Sequence, residues 1–241
     1  MLRFMCGRFT LHHSTEDVAQ QFAVEQAPPE LTPRYNIAPS EPVACIIRRE
    51  SQVLQNLRWG LVPFWARDPA IGNRMINARA ESLRDKPAFR NAFACGRCLI
   101  PASGYFEWQR IGEHRVPMLI RRESAQLFAM AGLYECWRTP DEAILRTCTI
   151  ITTEANGFAA NIHHRMPAIL PPEEQEIWLD RGITDVDQLQ SVLKPYPFGD
   201  LAAHAVSQRV NKADEEDAKL IEPVTPPPDP QQQLELSFRP G

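Results

Sequence analysis

A series of short β-prone runs, with no regular alternation of strand and helix, constrains the fold of this chain most. Residues 43–48, 53–61, 98–100, 104–109, 117–120, 127–134 and 144–153 are separated by Pro, Gly and charged stretches. That punctuation belongs to antiparallel or mixed sheets. Helical patterns are fewer. Ser14-Thr15 before Glu16-Asp17 reads as an N-cap, with Val18 and Phe22 one turn apart. Further helices are expected near residues 87–93, 154–162, 172–180 and 186–193. Strands and helices that do not alternate predict an α+β fold rather than a doubly wound α/β sheet.

At 241 residues and 44% hydrophobic side chains, the chain can bury one sizeable core. No composition break or repeat interrupts residues 1–222, which read as one domain. Residues 223–241 are rich in Pro and Gln and are expected to form a disordered tail. No apolar run reaches the roughly 18 residues of a membrane span. Met1-Leu2-Arg3-Phe4 is too short for a signal peptide. A cytoplasmic location without membrane contact is therefore expected, with the six cysteines as free thiols.

The net charge of −4 argues against nonspecific binding to nucleic acid. Much of it comes from residues 213–241, where seven acids face Lys219 and Arg239, and the rest of the chain is near neutral. Of the 26 basic residues, 22 are arginine. Arginine suits bidentate phosphate contacts, but GC-rich codon usage gives the same excess.

Met5-Cys6 carries the most distinctive chemistry. If Met5 is the initiator, its removal leaves Cys6 with a free α-amine and a thiol on adjacent carbons. Such a pair attacks an aldehyde twice: the amine condenses to an imine, and the sulfur then closes a five-membered thiazolidine. The α-amine titrates at about 7.7–8.0 and is partly neutral at cellular pH. The thiol needs only a modest downward shift to supply thiolate. Residues 1–4 stand upstream of Met5, and a start annotated too early is the simpler explanation for them.

Other unusual segments follow in order. They are Cys6-Gly7-Arg8-Phe9, Tyr35-Asn36-Ile37-Ala38-Pro39, Trp59-Gly60-Leu61-Val62-Pro63-Phe64-Trp65, Asn77-Ala78-Arg79-Ala80-Glu81, Cys98-Leu99-Ile100-Pro101-Ala102-Ser103-Gly104-Tyr105-Phe106-Glu107-Trp108 and His163-His164-Arg165-Met166-Pro167. Val210-Asn211 and Leu220-Ile221-Glu222-Pro223 close the series. In this order and spacing the chain, over about residues 5–222, resembles the SOS response-associated peptidase family of abasic-site processing proteins.

The resemblance implies a single compact domain of curved, barrel-like antiparallel or mixed sheets flanked by short helices. It implies binding of single-stranded DNA and a covalent crosslink from Cys6 to the ring-opened aldehyde of an abasic site. Glu107 matches the family acid/base. Its place among Tyr105, Phe106 and Trp108 independently predicts a raised carboxyl pKa. His163 matches the family histidine, with a role in proton transfer and crosslink reversal, whereas His164 falls at a variable position and reads as a bystander. Asn77 is expected to orient the Cys6 amine or the new ring. Arg8 and Arg79 are expected on phosphates, Asn36 and Pro39 in the loop lining the same groove, and Trp65, with Phe64, stacked on a base. Trp59 reads as core.

Cys95-Gly96-Arg97-Cys98 is a CxxC without a second ligand pair, so no metal or cofactor is expected. Gln233-Leu234-Glu235-Leu236-Ser237-Phe238 resembles a bacterial sliding-clamp ligand on a flexible tether. A monomer is expected. Two alternatives remain. One is a cysteine peptidase or other thiol hydrolase using Cys6, His163 and Glu107; the other is a non-covalent single-strand binder.

Overall fold

The β-prone runs become strands, and their pairing sorts them into two sheets. The computed structural model describes residues 6–28 and 30–227. The first sheet is antiparallel and orders β13 (Leu201–Ala205), β8 (His114–Arg122), β7 (Gly104–Ile111), β1 (Phe9–Leu11) and β2 (Arg34–Ile37). The second orders β11 (Arg165–Pro167), β10 (Ile144–Glu154), β4 (Gln52–Trp59), β3 (Pro42–Arg48), β6 (Arg97–Ala102), β9 (Phe128–Arg138) and β12 (Ile169–Leu170). Strands β9 and β10 also pair, from Ile144↔Arg138 to Ile150↔Gly132, so β10, β4, β3, β6 and β9 close into a barrel. Closure removes the exposed strand edges that an open sheet would leave. A short β5 (Asn77–Arg79) runs parallel to β10, as β4 does, which makes this sheet mixed.

Among the described residues, four short α-helices flank the sheets: α1 (Thr15–Gln21), α2 (Pro87–Cys95), α3 (Pro172–Leu179) and α4 (Val186–Ser191). The fold is thus α+β, as the pattern of runs predicts. Ser14 caps α1 as expected. Its hydroxyl accepts from Asp17 N–H, and the Asp17 carboxylate accepts from Ser14 N–H, both at 3.1 Å. Arg97 binds the ends of α2 and α3 together. Its buried guanidinium donates to the carbonyls of Phe93, Ala94, Trp178 and Asp180 at the two helix C-termini and to that of Ile183 in the loop after α3.

The 154–162 helix is not formed. Glu154 stays in β10 opposite Arg165, and only a 3-10 turn at Ala159–Asn161 follows. Asn156 Oδ1 accepts from Ala159 N–H at 2.9 Å, and Asn161 Nδ2 donates to Gly157 O at 3.0 Å. These side-chain bonds close a turn where a longer helix would need backbone pairs. Strands β1, β2, β5, β11, β12 and β13 were not among the expected runs. β13 contains Ala202 and Ala203, weak strand formers held by pairing with β8.

The packed body runs at least to Val224, whose N–H donates to Ala205 O at 2.9 Å. Cys95 is exposed and its thiol donates to Asn91 O, whereas Cys98 is buried in the core. The hexapeptide at residues 233–238 lies outside the described residues. Among the described residues no helix is long and apolar enough to cross a membrane.

Candidate active site

Both sheets contribute to one cluster. From the first sheet, Cys6 enters just before β1 and Glu107 projects from β7, because β1 and β7 are paired with Phe9 opposite Tyr105. From the second, Asn77 opens β5, and His163 stands two residues before β11. Cys6 is 1% and Glu107 3% exposed. The Cys6 backbone nitrogen donates to Glu107 Oε1 at 2.6 Å. Asn77 Nδ2 donates to Cys6 O at 3.5 Å, and His163 Nδ1 lies 3.9 Å from Glu107 Oε1. All four catalytic candidates therefore meet. Cys6 also has φ 44°, a left-handed conformation that side-chain-bearing residues rarely adopt. A residue with a free α-amine has no φ to strain.

Burial sets the electrostatics. It raises the Glu107 carboxyl to about 8, against the lowering effect of hydrogen bonds from the Cys6 and Trp108 backbone. The raised pKa expected from the aromatic strand is present. Burial, then the Glu107 charge, also pushes the Cys6 thiol well above its ordinary value. This corrects the expectation of a readily formed thiolate: the resting sulfur is a thiol, and its proton must leave during reaction. Burial lowers His163, so its imidazole is neutral near pH 7. Its Nδ1 faces both Arg165 N–H at 3.2 Å and Arg165 O at 3.3 Å, so either tautomer finds a partner.

The Asn77-to-Glu81 motif works as one device. Asn77 turns towards Cys6, Ala78 is buried, and Arg79 is exposed. Glu81 receives a bidentate ion pair from Arg165 at 2.7 and 3.0 Å, and Arg165 also donates to Thr152 O. Strands β5 and β11 are thereby locked on either side of β10, which holds Asn77 and His163 in place. A cavity of about 450 Å³ beside them is lined by Arg79, Glu154, Ala155, Ala160, His164 and Arg165. His164 leans on the His163 ring with centroids 4.3 Å apart.

Asn36 and Arg8, expected at the DNA, are both engaged within the protein. Asn36 is fully buried: its Oδ1 accepts from Arg8, and its Nδ2 donates to the carbonyls of Lys212 and Glu215. It cannot reach a solvent groove. Arg8 is half-buried and donates to Asn36 Oδ1, Val210 O and Asn211 O. It braces β1, β2 and the turn after β13. Pro39 is half-buried in the Ala38-to-Glu41 turn, closed by Glu41 N–H donating to Ala38 O.

Phe64 and Trp65 are 56% and 49% exposed at the tip of the loop after β4. The loop is anchored where Gly60, at φ 128°, lies against Gly72. A Cβ on Gly60 would stand 2.7 Å from Gly72 O. Trp59 is core, with Nε1 donating to Ile76 O at 2.7 Å. The sequence alone does not reveal the Glu81–Arg165 lock or three buried hydroxyls, those of Tyr105, Thr149 and Thr152, without hydrogen-bond partners among the described residues. Tyr and Thr are ordinary strand residues, so nothing in the sequence distinguishes them.

Comparison with known proteins follows this geometry. The family model described as SOS response associated peptidase matches residues 5–213. The abasic site processing protein YoqW of Bacillus subtilis is 48% identical over 222 residues, covering 90% of this chain and 99% of YoqW. YedK of Escherichia coli, also named an abasic site processing protein, is 30% identical over 228 residues, covering 91% of this chain and all of YedK. A crystal structure of a Bacteroides thetaiotaomicron protein superposes with a TM-score of 0.82 at 28% identity, covering 91% of this chain and all of that one.

Proposed function

Since this chain belongs to the SOS response associated peptidase family, we propose that it captures abasic sites in single-stranded DNA by a covalent bond from Cys6. The observation that carries this reading is the 2.6 Å contact between the Cys6 nitrogen and the Glu107 carboxyl. The names of the relatives, abasic site processing proteins, supply the substrate class. The reactive form begins at Cys6, with residues 1–5 removed, because imine formation needs the α-amine.

The amine adds to the aldehyde of the opened sugar. Glu107, a carboxylic acid near neutral pH, protonates the departing hydroxyl so that water leaves and the imine forms. The Cys6 S–H then adds across the C=N bond. A C–S bond forms, nitrogen takes a proton, and the thiazolidine is complete. Asn77 holds the Cys6 carbonyl and thereby the direction of both nucleophiles. Neutral His163 moves protons during ring opening and reversal. Arg79 neutralises a flanking phosphate. Trp65 stacks on a base, worth about 1–3 kcal/mol. Pro39 shapes the loop beside the strand, and Arg8 holds the turn after β13.

Such capture shields the lesion from strand breakage, and adduct formation with reversal is lyase- and hydrolase-type chemistry. A thiol peptidase using Cys6, His163 and Glu107 fits less well, because a buried thiol beside a carboxylate disfavours the thiolate such an enzyme needs. The processing domain, residues 1–222 in the sequence and 6–222 once residues 1–5 are removed, acts in the cytoplasm beside the nucleoid. The tail from residue 223 tethers a sliding clamp through residues 233–238. Unaltered clamp pull-down after Leu236→Ala and Phe238→Ala would discard the tether.

The central test uses protein beginning at Cys6 and abasic single-stranded DNA. A heat-stable adduct is expected, lost in Cys6→Ala and in protein that retains residues 1–5, with the N-terminus verified by intact mass. A normal adduct from the protein with residues 1–5 intact would sink the aminothiol mechanism.

A further inference from the structure

The Tyr105 side chain is wholly buried, yet its hydroxyl has no hydrogen-bond partner among the described residues. A buried hydroxyl in that condition is uncommon and demands an explanation. Its place suggests one. Tyr105 and Glu107 are two residues apart on β7 and so share a face. Phe9 pairs with Tyr105, and three residues before Phe9 the Cys6 nitrogen sits on Glu107. Cys6 and Tyr105 belong to the same buried cluster. The phenol also lies close enough for the charges of both Cys6 and Glu107 to act on it.

The sulfur of Cys6 needs a donor. Glu107 takes up the nitrogen, and burial disfavours any negative charge on sulfur. We propose that Tyr105 is a further positioning residue of the Cys6 site, its hydroxyl donating to the sulfur as the thiol loses its proton in ring closure. This rests on the aminothiol reading above and deepens it.

In the step concerned, the S–H bond breaks and the sulfur lone pair forms the C–S bond. The C=N electron pair moves onto nitrogen, and the proton passes through the Glu107 carboxyl to that nitrogen. No electrons are gained or lost overall. Tyr105 keeps its own proton throughout, which burial favours. Its part is to stabilise the transient charge on sulfur and aim the sulfur at the imine carbon.

The test compares wild type and Tyr105→Phe, both beginning at Cys6. Cysteine labelled with carbon-13 at Cβ reports the ionisation midpoint of the Cys6 thiol, assigned by the signal lost in Cys6→Ser. Adduct formation with abasic single-stranded DNA gives the rate, and borohydride trapping gives the imine step. Loss of the hydroxyl is expected to raise the thiol midpoint by about half a pH unit or more and to slow ring closure about fivefold. The imine step should not change. An unmoved midpoint and an unchanged closure rate in folded Tyr105→Phe would overturn the proposal. If Tyr105→Phe does not fold, 3-fluorotyrosine in place of Tyr105 provides a stronger donor. It must lower the thiol midpoint, and no movement would overturn the proposal equally. Absence of any adduct from wild type would overturn the capture reading, whereas the thiol midpoint still decides whether the Tyr105 hydroxyl acts on the Cys6 sulfur.

Discussion

The Cys6 nitrogen and Glu107 Oε1 stand 2.6 Å apart across 101 residues of sequence. Both residues are buried, and burial lifts the carboxyl to about 8. The Cys6 nitrogen and the Glu107 carboxyl thus share a buried site, where the hydrogen bond from that nitrogen acts against the burial that raises the carboxyl.

Crosslinking by protein beginning at Cys6 should show a bell-shaped pH dependence. The acid limb is the α-amine, at about 7.7–8.0 when unperturbed. The alkaline limb is loss of the Glu107 proton, and an adjacent ammonium draws this limb downward from about 8. Glu107→Gln should slow adduct formation by roughly tenfold to a hundredfold and erase the alkaline limb. Single-turnover rates from pH 5 to 9 check this. An alkaline limb retained in Glu107→Gln would assign it to another group.

Folding stability carries the same signature in protein that keeps a peptide bond before Cys6. The Glu107 carboxyl holds its proton more tightly folded than unfolded. Its contribution is therefore fully present below the ordinary carboxylate range and is lost as pH rises towards about 8. Glu107→Gln removes this loss. The variant should gain on wild type from pH 5 upward and level off above pH 8, by on the order of 3–5 kcal/mol at most. Urea unfolding across that range measures it; a gain independent of pH would contradict the assignment.

Asn36 and Arg79 should separate stability from binding. Asn36→Ala removes one of the three Arg8 acceptors and strands the carbonyls of Lys212 and Glu215, and should cost about 2 kcal/mol of stability. Its effect on DNA should follow only from that loss. Arg79→Ala should leave the melting temperature alone, weaken binding to undamaged single strands, and flatten the salt dependence by roughly one phosphate contact. Thermal melts and salt titrations of binding distinguish the two.

His163 stands 3.9 Å from Glu107 and is neutral near pH 7. His163→Ala should change the yield of adduct little and slow its reversal about tenfold. Transfer of the protein from one abasic oligonucleotide to an excess of a second reports the reversal rate. Equal transfer rates in variant and wild type would remove His163 from that step.

Much of the architecture is legible in local pattern. Strands β3, β4, β6, β7, β8, β9 and β10 fall on the β-prone runs, and the Ser14 cap starts α1, because alternation and capping are properties of a few neighbouring residues. The departures involve groups whose partners are distant. Residues 154–162 have helical composition, but Glu154 is claimed by Arg165 on β11 and Asn156 closes a turn. β13 has weak strand formers, and only β8 makes it a strand.

The candidate site divides in the same way. Cys6 and Glu107 declare their chemistry locally, as an aminothiol and a carboxylate among aromatics, whereas Asn77 and His163 stand out only through the motifs that resemble the family. Sequence determined which groups could react. Only the tertiary structure decided which of them are buried and beside one another. Burial makes Glu107 an acid and keeps the Cys6 sulfur a thiol. It also turns Asn36 from a groove residue into an interior clamp and leaves the Tyr105 hydroxyl unpaired in the same core cluster as Cys6. The reason is physical: desolvation and hydrogen bonding depend on every chain segment packed around a group, and those segments are far apart in sequence.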